Sequence, residues 1–418
     1  MNHLEELLNK FSDIPRSVVL KTDLLRLGVK HTPILKEIGT WSRPQTHSVY
    51  EFDHEDVHTK DDTTEGWVNI PCEFRFSDGT STMLIVDTKS PYEIRGEDGK
   101  HMLYLGENPI EEVIFCPRPT WYMKKTSHGT LMSTVGYQVG DCITVICVNH
   151  CEYFNTDDAC GFCCLNPTTD RSRELGIDRT IARTVDDFVE TYAEASKETC
   201  HITLSGGGLI DRKKEAGRHI RMLTALRDAG YRPDELMTVV QALEEEDTRR
   251  LYDLGVATCI AFDMEVWQGD MWPIIVPGKS KFVGRDRWIN CLIKAVEIFG
   301  RGNVMTNFVA GCEMVPPHGF KDVDEAVNST LDGFEWLVQR GITPHFTCWS
   351  NNPGSKLANV ELPPTEYYLK LGIGHHKLLI KYDLSLPKAR CHDCSSNAPG
   401  YDFQRLVAEP TRTATVAY

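Results

Sequence analysis

Three cysteines lie close together in the sequence and are candidates for joint metal ligation. Cys151, Cys160 and Cys163 form a C-x8-C-x2-C arrangement directly after a β-branched apolar run at 143–148. Three thiolates on one glycine-containing loop suit a [4Fe–4S] cluster whose fourth iron stays open to an external ligand, whereas a closed structural zinc site requires four ligands. The spacing therefore predicts an iron–sulfur cluster with chemistry at its open iron.

Two neighbouring cysteines leave the ligand set open. Cys147 lies inside the predicted strand, and Cys164 follows Cys163 directly. We favour Cys151, Cys160 and Cys163 over any set that contains a neighbour. The non-catalytic alternative is a structural zinc site closed by Cys164, although adjacent cysteines fit a tetrahedron poorly.

Composition limits the class of protein. The chain has 418 residues, and its 45 Lys and Arg against 60 Asp and Glu give a formal charge of −15, which disfavours nucleic acid as a partner. No apolar stretch is long enough to span a membrane, and no secretory signal is recognisable at the N-terminus. Since 15 cysteines occur without an export signal, we expect a reducing, cytoplasmic location rather than a disulfide framework. The oligomeric state is not indicated.

Alternating strands and helices must position the cysteines. Each predicted strand is short and β-branched, and each is followed by a segment with apolar residues at helical spacing. The predicted strands are 143–148, 201–204, 237–240, 258–264, 304–309 and 343–348, and the predicted helices are 185–198, 215–229, 244–254, 285–299, 323–340 and 365–382. This alternation predicts an α/β fold, a partial (β/α)6 TIM-type barrel, with the carboxyl ends of all strands on one face.

The rest of the sequence predicts two further parts around a barrel at 141–384. Residues 1–140 contain polar-alternating segments broken by Asp-Gly turn signals, which predict a small α+β N-terminal domain. Residues 385–418 form a C-terminal tail. It contains a C-x2-C pair, Cys391 and Cys394, as a candidate accessory metal site, for which unligated thiols are the favoured alternative.

The cysteine motif resembles that of the radical S-adenosylmethionine (SAM) superfamily, whose usual motif is C-x3-C-x2-C after the first strand of a partial barrel. Phe162 stands at the aromatic position before the last cysteine. The first spacing departs from the usual one, with eight residues instead of three. The resemblance is to the biotin-synthase-like branch and, at 116–130, loosely to an uncharacterised bacterial subgroup. It implies a [4Fe–4S] cluster and SAM as cofactors.

Further segments match this resemblance in chain order. A glycine run after the second strand resembles the segment that contacts the methionine part of SAM, but no acidic residue follows its glycines. Glu265 after the fourth strand resembles the cofactor-binding carboxylate, and Arg285 offers a planar fork for the methionine carboxylate. The segment 307–313 resembles the G-x-I-x-G-x-x-E region. The resemblance thus assigns to cofactor binding Phe162, Ser205, Gly206, Gly207, Gly208, Glu265, Arg285, Val309 and Gly311.

The resemblance also implies a reaction and partners. It implies an enzyme that reductively cleaves SAM to a 5′-deoxyadenosyl radical, which abstracts hydrogen from a small-molecule substrate; radical SAM methyl or alkyl transfer is the alternative. A ferredoxin or flavodoxin is the implied electron donor, because the cluster must be strongly reducing. Candidate substrate contacts at the barrel mouth are His345, Trp349 and Asn351, for which a loop cap is an equal alternative. The pair His375 and His376 is expected at the surface.

Overall fold

The computed structural model describes residues 2–45, 68–174, 184–352, 354–386 and 396–407. Cys391 and Cys394 lie outside these residues, so their accessory role stays a prediction. Within the described ranges, no helix has the length and apolar character that crossing a membrane requires.

Helices and short antiparallel strands make up the N-terminal part. The helices are α1 (His3–Lys10), α2 (Arg16–Leu27) and α3 (Pro33–Gly39). The strands form two pairs and one three-stranded sheet, namely β1 (Pro44–Gln45) with β2 (Val68–Pro71), β3 (Glu73–Arg75) with β4 (Ser81–Met83), and β5 (Tyr92–Glu97), β6 (Lys100–Leu105) and β7 (Asn108–Val113). A short helix, α4 (Met132–Val135), leads into the larger sheet. The turn signals therefore predicted the α+β character correctly.

One seven-stranded sheet forms the larger part. Its strands are β8 (Gly136–Val139), β9 (Cys142–Val148), β10 (His201–Gly206), β11 (Glu235–Val239), β12 (Cys259–Ala261), β13 (Val304–Ala310) and β14 (Ile342–Cys348). They lie in chain order, and β9 to β14 are parallel. β8 pairs antiparallel with β9 at the edge and was not predicted from the sequence. All six predicted strands are present, which confirms the partial barrel, and the sheet is not closed.

Helices cover the parallel strands and fix which end of the sheet carries the loops. They are α5 (Leu165–Glu174), α6 (Val185–Ala195), α7 (Arg212–Asp228), α8 (Glu245–Asp253), α9 (Trp272–Ile275), α10 (Pro277–Phe282), α11 (Arg285–Phe299), α12 (Val323–Gln339), α13 (Thr365–Lys381) and α14 (Gly400–Leu406). Apolar side chains of the strands, such as Ile143, Val145, Ile202 and Leu204, are fully buried. Because each strand is followed by a helix that runs back, the loops at the carboxyl ends gather on one face.

The C-terminal helices pack against the N-terminal part. Leu369 of α13 and Phe403 of α14 belong to the same apolar core as α2. The Lys21 ammonium lies 2.6 Å from the Asp402 carboxylate, and each side chain is 1% exposed. The sequence predicted only a tail beyond residue 384, and α14 was missed because its contacts are made with residues far away in the chain.

The surface position expected for His375 and His376 is wrong. His375 is 1% exposed, lies against the rings of Phe334 and Phe346, and its Nε2 lies 2.9 Å from the Pro344 carbonyl oxygen. His376 is also buried. Both faces of α13 at this point are covered, by the barrel on one side and by α14 on the other.

Candidate active site

The loop after β9 brings the three predicted cluster ligands together. Cys151, Cys160 and Cys163 are unpaired thiols that line one cavity of about 170 Å³, which we call the cysteine cavity, and Phe162 lies beside them. Burial raises the pKa of all three thiols, to about 12 for Cys160. Iron would stabilise the thiolates that burial disfavours, because metal binding displaces the thiol proton.

The glycine run (Ser205, Gly206, Gly207 and Gly208) forms the wall of the cysteine cavity beside Cys151. A side-chain carbon on Gly207 would lie 2.8 Å from the Cys151 backbone nitrogen, which is closer than real Cβ atoms come. The Gly207 N–H donates to the Val148 carbonyl at 2.7 Å. Only a residue without a Cβ allows the strand end and the cysteine loop to approach this closely.

Two short helices between β12 and α11 brace the cysteine loop from the other side. The Gly161 N–H donates to the Ile275 carbonyl of α9 at 2.7 Å, and the Gly278 N–H of α10 donates to the Asp158 carbonyl at 2.9 Å. The ring of Tyr153 stacks on the ring of Phe282 of α10, with centroids 5.6 Å apart. These contacts hold the loop against α9 and α10.

Glu265 lies in the cysteine cavity as predicted, and Lys279 of α10 lies against it. The Lys279 ammonium is 2.6 Å from the Glu265 carboxylate and donates to the Asp263 carbonyl at 2.6 Å. Burial raises the pKa of Glu265, and Lys279 opposes this rise. Burial alone would lower the pKa of Lys279. The neighbouring Glu265 and Cys160 raise it by more than burial lowers it, so the pKa of Lys279 is raised overall. Sequence reasoning missed Lys279.

Glu215 of α7 also lines the cysteine cavity and was also missed. Its carboxylate accepts the N–H of Leu209, which directly follows the glycine run, at 2.7 Å. It also accepts the backbone N–H of Gln241 at 2.9 Å. Gln241 in turn accepts the Tyr153 hydroxyl proton at 2.7 Å, which links β11 to the cysteine loop. One indication of this role was present in the sequence: Glu215 is an acidic residue in the first turn of α7, the helix that follows the glycine run.

The structure does not bring Arg285 to the cysteine cavity. Its guanidinium donates to the Trp267 carbonyl oxygen at 3.0 and 2.7 Å and lies 4.6 Å from the Trp267 ring centroid. The residues that line the cavity within the described chain do not include it. The cation that faces the cavity is Lys279 instead.

Val309 and Gly311 lie beside the site and do not line the cysteine cavity. The Val309 N–H donates to the Glu265 carbonyl at 3.0 Å, so the edge of β13 holds the backbone of Glu265, which has a positive φ of 68°. The Gly311 N–H donates to the Glu313 carboxylate at 3.0 Å. That buried carboxylate also accepts the Thr330 hydroxyl proton at 2.9 Å, which fixes the turn after β13.

Of the three candidate substrate residues, His345 lies in the middle of β14, whereas Trp349 and Asn351 follow the strand, and none of them lines the cysteine cavity. His345 Nδ1 lies 2.8 Å from the side-chain oxygen of Asn307. The Asn351 amide donates to the Val360 carbonyl at 3.0 Å. Within the described residues, the Trp349 indole N–H and the Asn351 side-chain oxygen are buried without a hydrogen-bond partner. A substrate role for these residues stays a prediction.

The residues of the cysteine cavity fit a [4Fe–4S] cluster. The donor set is three thiolates on one braced loop, and the glycine run packs directly against Cys151. In the described part of the chain, no three His, Cys, Asp or Glu side chains are close enough to share a single metal ion. A [4Fe–4S] cluster does not require this, because each thiolate binds a different iron.

Comparisons with known proteins agree with this assignment. The chain is 22% identical over 339 residues to bacteriochlorophyllide c C-7(1)-hydroxylase from Chlorobaculum limnaeum, and the match covers 75% of this chain and 77% of the hydroxylase. No protein-family model matches the chain.

Two solved structures are also similar to the chain. Methylornithine synthase (PylB) is 15% identical with a TM-score of 0.43, and the match covers 59% of this chain and 64% of that one. The hydrogenase maturase HydG from Carboxydothermus hydrogenoformans is 12% identical with a TM-score of 0.43, covering 58% and 52%. The chain spans less than two thirds of either solved protein.

The hydroxylase match covers most of both chains. This similarity to a known enzyme supports the radical SAM superfamily, whose members use a [4Fe–4S] cluster and SAM as cofactors.

Proposed function

We propose that Cys151, Cys160 and Cys163 hold the cluster and that the enzyme abstracts hydrogen from a small-molecule substrate. A bound cluster and SAM supply the reductive cleavage that yields a 5′-deoxyadenosyl radical. The observation that carries the proposal is that these three thiols share one cavity with the glycine run and with the buried pair of Lys279 and Glu265. The relative is named for hydroxylation at a carbon of a small molecule, which supports hydrogen abstraction rather than methyl transfer.

The charges of the cysteine cavity suit the methionine part of SAM. Three carboxylates and one ammonium line the cavity, namely Glu215, Asp263, Glu265 and Lys279. SAM carries two cationic groups, the sulfonium and the ammonium, and one carboxylate. The proposal gives Lys279 the task that the sequence assigned to Arg285, because Lys279 is the cation that faces the cavity.

The remaining task of the chain is to shield the site from water. Cys151 and Tyr153 are buried, and the segment after β14 closes over the loop, since the Leu357 N–H donates to the Gly161 carbonyl at 3.0 Å. The Asn352 amide donates to the Phe162 carbonyl at 3.4 Å. A closed site strengthens every electrostatic contact inside it and prevents quenching of reactive species.

A ferredoxin or flavodoxin is the proposed electron donor, and the exposed face of α7 supports it. Lys213, Lys214, Arg218 and Arg221 are all exposed on the helix that carries Glu215 into the cysteine cavity. Charge complementarity with an acidic partner accelerates encounter, and a rim charge mainly changes the association rate. Reversing Lys213 and Lys214 to Glu should slow reduction by an acidic protein donor, while reduction by dithionite stays unchanged.

The domain division at 1–140, 141–384 and 385–418 belongs to the same proposal, and so does a cytoplasmic location. The location is supported by Cys151, Cys160 and Cys163, which are free thiols.

Anaerobic reconstitution followed by reduction in the presence of SAM tests the proposed function. We expect about four iron and four sulfide per chain, together with 5′-deoxyadenosine as a product. S-adenosylhomocysteine without 5′-deoxyadenosine would favour methyl transfer instead. A colourless protein that holds one zinc would overturn the proposal.

A further inference from the structure

Glu215 is a buried carboxylate without a cationic partner. Its side chain is 2% exposed, and its oxygens accept from the Leu209 N–H at 2.7 Å, the Gln241 N–H at 2.9 Å and the Gln241 side-chain amide at 2.5 Å. All three donors are neutral, and the described residues place no Lys, Arg or His in an ion pair with it. Lys279, whose charge acts on Glu215 across the cavity, is itself bound to Glu265.

An ionised carboxylate that is buried without a counter-charge is destabilised, and burial accordingly raises the pKa of Glu215. Protein carboxylates in such positions are therefore normally paired with a cation or a metal. Glu215 lines the cysteine cavity, so the cation that completes it can come from the ligand that occupies the cavity. The glycine run beside it offers backbone groups and no acidic side chain.

The groups of SAM can be matched to the charges of the cavity. The SAM carboxylate requires a cation, and Lys279 supplies it. Glu265 is held by Lys279 at 2.6 Å, so its charge is already compensated. The ammonium of SAM then remains without a partner on the ligand side, and among the described residues two lining carboxylates, Glu215 and Asp263, remain without an ion pair on the protein side. Glu215 is the more deeply buried of the two and is bound to the residue that follows the glycine run.

Resting on the proposed function, we propose that Glu215 is the counter-charge for the ammonium of SAM. No acidic residue directly follows the glycine run in this sequence, and Glu215 takes the role that such a residue would have. The three neutral hydrogen bonds fix its orientation and leave acceptor capacity, because an ionised carboxylate has about four acceptor sites.

Calorimetric titration of the reconstituted protein tests this role without measuring turnover. The variant is Glu215→Gln, and Glu152→Gln is the matched control, because Glu152 accepts the N–H of Ile210 at 2.8 Å, one residue further along, without lining the cavity. The probes are SAM and its desamino analogue, which lacks the ammonium. Glu215→Gln should weaken SAM binding about tenfold, as expected for one charged hydrogen bond. It should leave binding of the analogue nearly unchanged, and Glu152→Gln should affect neither.

The ratio of the two affinities within each protein separates the role from general damage to the site. Equal weakening for both probes would show that Glu215 is only structural and would overturn the inference, as would unchanged SAM binding. Glu215→Asp keeps the charge and should restore the preference for SAM. If Glu215→Gln does not fold, the parent alone still decides, because a parent that binds both probes equally contradicts the inference. A parent that holds iron but binds no SAM would instead overturn the proposed function.

Discussion

The Lys279 ammonium lies 2.6 Å from the Glu265 carboxylate inside the cysteine cavity, where the two side chains are 12% and 11% exposed. Each residue is held on a different element. Glu265 follows β12 in a left-handed backbone conformation that the edge of β13 holds, and Lys279 belongs to α10, which also braces the cysteine loop. The pair therefore ties Glu265 to the loop that carries the thiols.

Replacing Lys279 by Met should weaken SAM binding by about tenfold or more, because a charged contact to the carboxylate is lost. It should also destabilise the protein by about 3 kcal/mol, since Glu265 is left buried and unpaired. Lys281→Met is the control, because Lys281 is 57% exposed and pairs with Asp158 at the surface, where the loss should stay below about 1 kcal/mol. Decarboxylated SAM, which lacks the carboxylate, should bind the Lys279→Met variant and the parent alike. A similar loss for both ligands in calorimetry would remove Lys279 from carboxylate binding.

Single Ala substitutions of Cys151, Cys160 and Cys163 should each abolish iron binding, because an open-site cluster has three protein ligands and no spare one. Cys164→Ala and Cys147→Ala are the matched controls, since both thiols are buried nearby and neither lines the cysteine cavity. The iron and sulfide content of each variant after anaerobic reconstitution shows which cysteines are ligands. A Cys164 variant without iron, together with a Cys163 variant that keeps it, would show that the ligand register is shifted.

The six parallel strands were predictable because buried strands read as short β-branched apolar runs, and the cysteine motif was predictable because its ligands are close in sequence. Lys279 was not, because α9 and α10 are too short to show a helical period. Glu215 was not, because six residues lie between it and Gly208 and only the first turn of α7 brings the two together. Arg285 was assigned by its fork geometry, and sequence alone does not show that the Trp267 carbonyl already occupies that fork.

The unfolding free energy should fall as pH drops from about 6.5 to about 4. Burial lowers the pKa of His219 and of His375 to about 4, and each is 1% exposed. Between about pH 6.5 and about pH 4 these histidines are protonated in the unfolded chain but neutral in the folded one, so the unfolded chain binds more protons. The contribution of the neutral histidines to the unfolding free energy is therefore fully present above about pH 6.5 and is lost as the pH falls. At pH 5 the loss is about 2 kcal/mol for each histidine.

Urea unfolding at pH 7 and pH 5 measures this loss. In His219→Gln, the decrease in unfolding free energy between the two pH values should shrink by about 2 kcal/mol. A variant of the exposed His150 serves as the control and should keep the decrease of the parent. An unchanged decrease in the His219 variant would show that this histidine does not contribute.

Gly207→Ala should impair the cluster site although it adds a single methyl group. The new carbon would lie 2.8 Å from the backbone nitrogen of Cys151 and 2.9 Å from its Cα and Cβ, so the cysteine loop must move away. Gly217→Ala in α7 is the matched control, because nothing lies within 4 Å of its new carbon. Since glycine is unfavourable inside a helix, that control should gain about 0.5–1 kcal/mol in unfolding free energy. Iron content and urea unfolding of both variants give the comparison: we expect Gly207→Ala to lose iron while Gly217→Ala keeps about four per chain. Full iron content in Gly207→Ala would mean that the cysteine loop can shift without losing its ligand geometry, and the close contact with the glycine run would then not be required for the cluster.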